Sequence, residues 1–111
     1  MTSAHFKLDN LTAILDYNKL QIDGPTNEVM RIEPVCDKWT SFGWNVLEID
    51  GHDIGAIIEA LERACGTKKV PTMIVAHTVK GKGVSFMEGA VEYHAKPMSD
   101  QECEKSLREL S

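Results

Sequence analysis

Three side chains in this sequence have the chemistry to handle a charged ligand: the amide of Asn18, the ammonium of Lys80 and the imidazole of His94. Asn18 closes an apolar run, and the loop after it, Lys19-Leu20-Gln21-Ile22-Asp23-Gly24, offers backbone carbonyls. Hard cations such as Mg²⁺ and Ca²⁺ prefer oxygens of this kind, but two neutral ligands hold a divalent ion poorly. A carboxylate and ligand phosphates are needed beside them. Lys80 opens the stretch Lys80-Gly81-Lys82-Gly83. Its ammonium is a point charge suited to an anion, and Gly81 and Gly83 let backbone N–H groups approach one. His94 can hydrogen-bond a phosphate or a substrate hydroxyl, or carry a proton. Each of these residues alone reads more readily as a solvated loop residue, and their convergence puts a site on an equal footing with that reading.

Convergence requires elements that bring them together. Leu11–Tyr17 and Thr72–Thr78 are near-continuously apolar, as strands buried on both faces are. Trp44–Ile49 is a further strand between these two in the chain, bracketed by Gly43 and Gly51. After it, Ile54, Ile57, Ile58, Leu61 and Cys65 recur on one helix face, with Asp53 as N-cap and Gly66 as the stop. Val35, Trp39 and Phe42 mark an earlier helix that Pro34 starts and Gly43 ends. A last helix opens at Ser99, with Glu102 three residues on as a capping box, and its apolar face would be Cys103, Leu107 and Leu110. Met1–Phe6 read as the tail of a helix.

Strands alternating with helices predict an α/β protein with a parallel sheet and right-handed crossovers. Ligands bind such sheets outside the carboxyl ends of the strands. The first and last strands end at Asn18 and Thr78, so the long irregular segments 18–31 and 79–98 leave from one edge, the second carrying His94. Loops of this length in a compact domain are functional or disordered. Three strands make a thin sheet, and a buried parallel strand needs neighbours, so upstream strands are expected from another chain or a longer one.

The remaining polar residues read as structural. Asp53 caps a helix, Gly51-His52 is turn chemistry, and Asp23-Gly24-Pro25 is a tight turn. His77 is a core or sheet residue, and His5 lies near the start of the chain. Cys36, Cys65 and Cys103 are an odd, widely spaced set with no CxxC, which excludes a disulfide framework or zinc site. They are expected as small core-facing residues of helices in a reducing cytosol. The 111 residues are enough for one small domain, and 42% hydrophobic content supports a packed core. A formal net charge of −5, with basic clusters only at 68–69 and 80–82, argues against a nucleic-acid surface. No signal peptide or membrane-length apolar run is present, so no membrane partner is expected.

At this point the residues resemble a family. Lys7-Leu8-Asp9-Asn10-Leu11, then Ile14-Leu15-Asp16-Tyr17-Asn18-Lys19-Leu20-Gln21-Ile22-Asp23-Gly24, are similar to the transketolase segment that closes the thiamine-diphosphate motif, which opens with Gly-Asp-Gly and ends at an Asn. The likeness continues through Phe42-Gly43-Trp44, Ile49-Asp50-Gly51-His52-Asp53, His77–Gly83 and Glu92-Tyr93-His94. It covers nearly the whole chain in order, and also resembles the N-terminal subunit of split transketolases.

The resemblance implies the thiamine-diphosphate-binding fold, a partial three-layer α/β/α sheet. It also implies thiamine diphosphate with Mg²⁺ or Ca²⁺ as cofactors. Asn18 would bind the metal through its side chain and lie near the diphosphate. Leu20 would bind the metal through its backbone carbonyl, and Lys80 would contact the cofactor. His94 would meet the diphosphate and the sugar substrate as a catalytic and substrate-binding residue. The implied reaction moves a two-carbon ketol unit between sugar phosphates, in the pentose phosphate pathway and the cytoplasm. The implied partner is a pyrimidine-binding domain or C-terminal transketolase subunit, in a homo- or hetero-oligomer.

One departure is large. No Gly-Asp-Gly occurs in the sequence, so the carboxylate metal ligand of that motif is absent from these residues. Residues 1–111 are therefore expected to be a single partial domain that, isolated, binds the cofactor weakly or not at all and is inactive. Two alternatives stand beside this expectation. One is a non-catalytic remnant or interaction module of the same fold. The other is a related thiamine-diphosphate enzyme, deoxyxylulose-phosphate synthase or a 2-oxo-acid dehydrogenase component.

Overall fold

A computed structural model of the chain describes residues 1–111, which divide into two compact units. The first comprises Met1–Tyr17 and Ile32–Thr78, the second Asn18–Arg31 and Val79–Ser111.

The first unit begins with helix α1, Thr2–His5, and strand β1, Thr12–Tyr17. The second unit holds the short strands β2, Leu20–Gln21, and β3, Gly24–Pro25, followed by helix α2, Thr26–Val29. The chain then returns to the first unit for α3, Val35–Ser41, β4, Asn45–Asp50, α4, Ile54–Gly66, and β5, Thr72–His77. A 3₁₀ turn at Val91–His94 and helix α5, Asp100–Glu109, complete the second unit.

Three strands form a parallel sheet in the order β1-β5-β4. The central β5 is buried from Thr72 to Ala76, which is why its sequence is apolar without alternation. Register places Ala13, Met73 and Val46 side by side, and Ile14, Ile74 and Leu47 one residue further on. Because side chains alternate across a strand, these rows line opposite faces. Tyr17, Met73 and Val75 pack with Val35, Cys36 and Trp39 of α3, whereas Leu47 and Ile74 pack with Ala60 of α4. The unit is thus layered α/β/α. Asp53 caps α4 by accepting from the Ala56 N–H at 3.1 Å. His52 takes part in a turn in which its N–H donates to Asp50 Oδ1 at 2.8 Å.

Several expectations from sequence are corrected. The α4 stripe is only partly covered: Ile54 is 68% exposed and Ile58 53%, Ile57 is half-buried, and the fully buried residues of the helix are Ala60, which packs on Leu47 and Ile74, and Ala64. Ile57 and Leu61 of the stripe line an apolar cleft with Ile14, Ile49, Ile74 and Ala76 of the sheet. On α5, Leu107 is 63% exposed and Ser106 is the buried residue, its Oγ donating to the Glu102 carbonyl at 2.8 Å. The cysteines are not core-facing as a set, since Cys65 and Cys103 are exposed and only Cys36 is half-buried. Segment 18–31 is not irregular: it folds as a hairpin and a helical turn. Its loop residues are Ile22 and Asp23, with Gly24-Pro25 already in a strand.

Candidate functional site

The first unit shows where its chain leaves the sheet. Tyr17 and His77 are register partners at the carboxyl ends of β1 and β5, and the Thr78 N–H donates to the Tyr17 carbonyl at 3.4 Å. Polar groups gather at this end. Thr78 Oγ1 donates to Asp16 Oδ1, and His77 Nε2 lies 2.6 Å from Glu48 Oε1. His77 is therefore a sheet residue paired across strands, as its position predicts.

The second unit contains a cavity of about 290 Å³, lined by Asn18, Leu20, Gln21, Ile22, Lys80, Val91 and His94. All four residues singled out from sequence line it, although they span the unit's two chain segments. Local chemistry explains each position. Asn18 Oδ1 accepts the Leu20 N–H at 2.9 Å, an Asx turn that Lys19 permits by taking a left-handed conformation. The bond fixes the amide and leaves its oxygen a second lone pair.

Hairpin geometry places the Leu20 carbonyl. The Thr26 N–H donates to the Lys19 carbonyl at 2.9 Å, so Leu20 and Pro25 oppose each other as a non-hydrogen-bonded pair. In such a pair the N–H and C=O of each residue point away from the partner strand. The Leu20 N–H is taken by Asn18, and its carbonyl is turned outward on the same side. Pro25 has no N–H to give it in any case. Two oxygens of the kind a hard cation prefers thus stand two residues apart, and they fit such an ion as part of a set that a carboxylate and ligand phosphates complete. Both oxygens are neutral, one an amide and one a peptide carbonyl, and no three His, Cys, Asp or Glu side chains gather into a metal-binding group.

Lys80 supplies the positive charge. It is half-buried, and its Nζ reaches the Tyr93 carbonyl at 3.4 Å, at the outer limit of a hydrogen bond. An ammonium has three donors, so most of this one's capacity is open to a ligand. Of the two glycines after it, Gly83 does not offer its N–H to an anion as the Lys-Gly-Lys-Gly stretch suggests. The Gly83 N–H donates to Glu88 Oε1 at 3.0 Å, and Lys82 Nζ lies 3.7 Å from the same oxygen. An internal carboxylate takes that position. Gly81 is required for space: a Cβ there would lie 2.6 Å from the Met87 carbonyl oxygen.

His94 ends the 3₁₀ turn and Val91 begins it, so one turn presents both residues to the cavity. Gln21, Ile22 and Val91 were not anticipated. The spacing of Leu20-Gln21 and Gly24-Pro25 about a two-residue loop is the signal that would have located the first two.

The chain segments that follow β1 and β5 in sequence line one cavity with an amide, an ammonium and an imidazole. The chain belongs to the transketolase family: residues 1–111 match the family described as transketolase, thiamine diphosphate binding domain. Among similar curated proteins, an apulose-4-phosphate transketolase subunit of Phocaeicola vulgatus is 45% identical over 111 residues, all of this chain and 40% of that protein. The 6-deoxy-6-sulfo-D-fructose transketolase subunit SqwG of a Clostridium species is 44% identical over 104 residues, 94% of this chain and 38% of that protein. Among solved structures, the transketolase of Campylobacter jejuni superposes with a TM-score of 0.89 at 32% identity, covering 96% of this chain and 17% of the other. The chain therefore spans about 40% of the length of the curated relatives it matches.

Proposed function

We propose that this chain provides the closing part of a diphosphate–metal site in a split transketolase, acting with a partner subunit that binds the pyrimidine end of thiamine diphosphate. The observation that carries the reading is that Asn18, Leu20, Lys80 and His94 line one cavity. Its 290 Å³ sits at the lower end of small-molecule sites, a size for a charged head group rather than a whole cofactor.

In this reading Asn18 Oδ1 and the Leu20 carbonyl are two oxygen ligands of a Mg²⁺ or Ca²⁺ ion. The ion's carboxylate ligand comes from outside these 111 residues. Lys80 balances diphosphate charge as a point cation, held toward the cavity by the Tyr93 carbonyl. His94 hydrogen-bonds the diphosphate and the sugar substrate and holds or moves a proton there. When bound, thiamine diphosphate supplies the electron sink for transfer of a two-carbon unit between sugar phosphates. The protein's task is to bind, orient and shuttle protons. Similarity to the apulose-4-phosphate and sulfofructose transketolase subunits favours the split arrangement over a single-chain enzyme.

The test is the metal dependence of the assembled enzyme. Asn18→Ala removes one oxygen ligand and should raise the Mg²⁺ concentration for half-activation strongly. Unchanged Mg²⁺ dependence would remove Asn18 from the site. Calorimetry on the isolated chain checks the shared-ligand claim: thiamine diphosphate with Mg²⁺ should bind weakly or not at all, and micromolar binding would refute it.

A further inference from the structure

The residues that line the cavity do not explain how two of them are held in place, because His94 and Lys80 both depend on a residue outside the lining. Tyr93 precedes His94 in the 3₁₀ turn, and its carbonyl faces Lys80 Nζ at 3.4 Å. Its phenol is bound elsewhere. Tyr93 Oη donates to Glu102 Oε1 at 2.8 Å, and Lys96 Nζ reaches Glu102 Oε1 at 2.9 Å and Tyr93 Oη at 3.3 Å. Lys96 also stands 4.6 Å from the centre of the Tyr93 ring, and Phe86 meets that ring edge-on at 5.8 Å.

Glu102 divides its two oxygens between two tasks. Oε2 closes the capping box of α5, accepting from the Ser99 N–H at 2.8 Å and Ser99 Oγ at 2.9 Å. Oε1 holds Tyr93 and Lys96. One carboxylate thus ties the start of a ten-residue helix to the turn that carries His94. Charge-assisted hydrogen bonds from several donors to one carboxylate are the stronger kind, and a helix terminus is a firmer anchor than a loop. The donors' combined effect holds the Glu102 carboxyl at about 2, with the Ser99 backbone N–H the largest cause and the Lys96 and Tyr93 side chains next.

We infer that Tyr93 and Glu102 are positioning residues for the cavity: the Tyr93–Glu102 bond sets the Val91–His94 turn, and so orients the His94 imidazole and, through the Tyr93 carbonyl, the Lys80 ammonium. The inference rests on the reading of the cavity as an anion site. It adds two residues that touch no ligand.

The experiment uses the full chain, NMR and inorganic pyrophosphate titrated into the millimolar range. Tyr93→Phe keeps the ring contact with Phe86 and removes only the hydroxyl. Glu102→Gln keeps the shape and removes the charge. Both should shift the amide resonances of residues 91–94 and of Lys80 without ligand present. Both should also raise the pyrophosphate half-saturation read at Lys80 and His94 by about tenfold, the loss of one charge-assisted hydrogen bond. Lys96→Arg should behave as the wild type, since a guanidinium can make the same contacts. Ser99→Ala is the control for a merely structural effect, because it weakens the helix cap but leaves Oε1 with Tyr93. It should lower the melting temperature and leave the His94 and Lys80 resonances in place. If Ser99→Ala moves them as far as Tyr93→Phe, helix stability is the cause and the inference fails. A wild-type chain that responds to pyrophosphate, with an equal response from Tyr93→Phe, overturns the inference alone. No response in the wild-type chain overturns the inference, whereas the reading of the site stands or falls with the metal dependence of the assembled enzyme.

Discussion

Replacing Gly81 by alanine tests how the loop next to Lys80 is built. The loop runs from Lys80 to Gly89 and closes on a hydrogen bond from the Gly89 N–H to the Lys80 carbonyl at 2.9 Å. Gly81 and Gly89 have nearly the same backbone conformation, with φ of +71° and +68°. A Cβ at either position carries the cost of the left-handed region, about 1–2 kcal/mol. Their surroundings differ. At Gly89 a Cβ meets nothing within 4 Å, whereas at Gly81 it would lie 2.6 Å from the Met87 carbonyl oxygen and 2.8 Å from its carbon and Cβ. Reaching ordinary contact at 3.4 Å requires the Met87 backbone to move by about 0.8 Å, the difference between 3.4 and 2.6. Overpacking of this kind costs a further ~1–3 kcal/mol. Gly89→Ala should therefore lose about 1–2 kcal/mol and Gly81→Ala about 2–5 kcal/mol. At about 4 °C per kcal/mol for a chain of this size, the first lowers the melting temperature by about 4–8 °C and the second by about 8–20 °C. Urea and thermal unfolding followed by circular dichroism measure both. Equal losses for the two variants would refute the close-approach argument and leave only backbone conformation.

Further outcomes follow from the same structure. In the assembled enzyme, His94→Ala should raise the KM for the sugar phosphate more than the half-saturation for thiamine diphosphate; a defect confined to cofactor affinity counts against its substrate role. Burial raises the Cys36 thiol pKa, and the neighbouring Glu48, Asp37 and Glu33 carboxylates raise it further. Alkylation near pH 8 should therefore label Cys65 and Cys103 well before Cys36, and faster labelling of Cys36 would show that its helix is not packed as described. Acid should open the second unit through Glu102, whose carboxyl is held at about 2 against an ordinary 4.5. A depressed carboxylate contributes stability above its ordinary pKa and loses it as the pH falls from about 4.5 toward 2. The Glu109 carboxyl, lowered first by the Ser85 backbone N–H and then by the Ser85 hydroxyl, acts in the same direction. NMR during acid titration should lose the resonances of residues 91–111 in that window, and Glu102→Gln should flatten the response.

Much of the framework was legible in the sequence because it is set by neighbours along the chain. Continuous apolar runs located β1 and β5 to within a residue, Asp53 and Ser99 announced their caps, and the Asn18 loop announced a source of neutral oxygens. The family likeness followed from the same local runs. The sequence did not reveal which face of α4 or α5 would be covered. An apolar stripe states what a helix can bury, and the side chains opposite it decide what it does bury, so Ala60 and Ser106 went inside while Ile54, Ile58 and Leu107 stayed out. It also did not reveal that Glu88 would occupy the Gly83 N–H, because that contact depends on how the loop closes.

The reactive groups, their order and the strands they follow are written along the chain, since side-chain chemistry and the periodicity of burial are local properties. That Asn18 and Leu20 share a cavity with Lys80 and His94, residues from a second chain segment far along the sequence, follows from the folding of the chain. Contacts at that separation carry no local signature. The same holds for Glu102, whose cap on α5 was readable while its hold on Tyr93 was not: one oxygen answers to a neighbour three residues away, the other to the way the segment folds back.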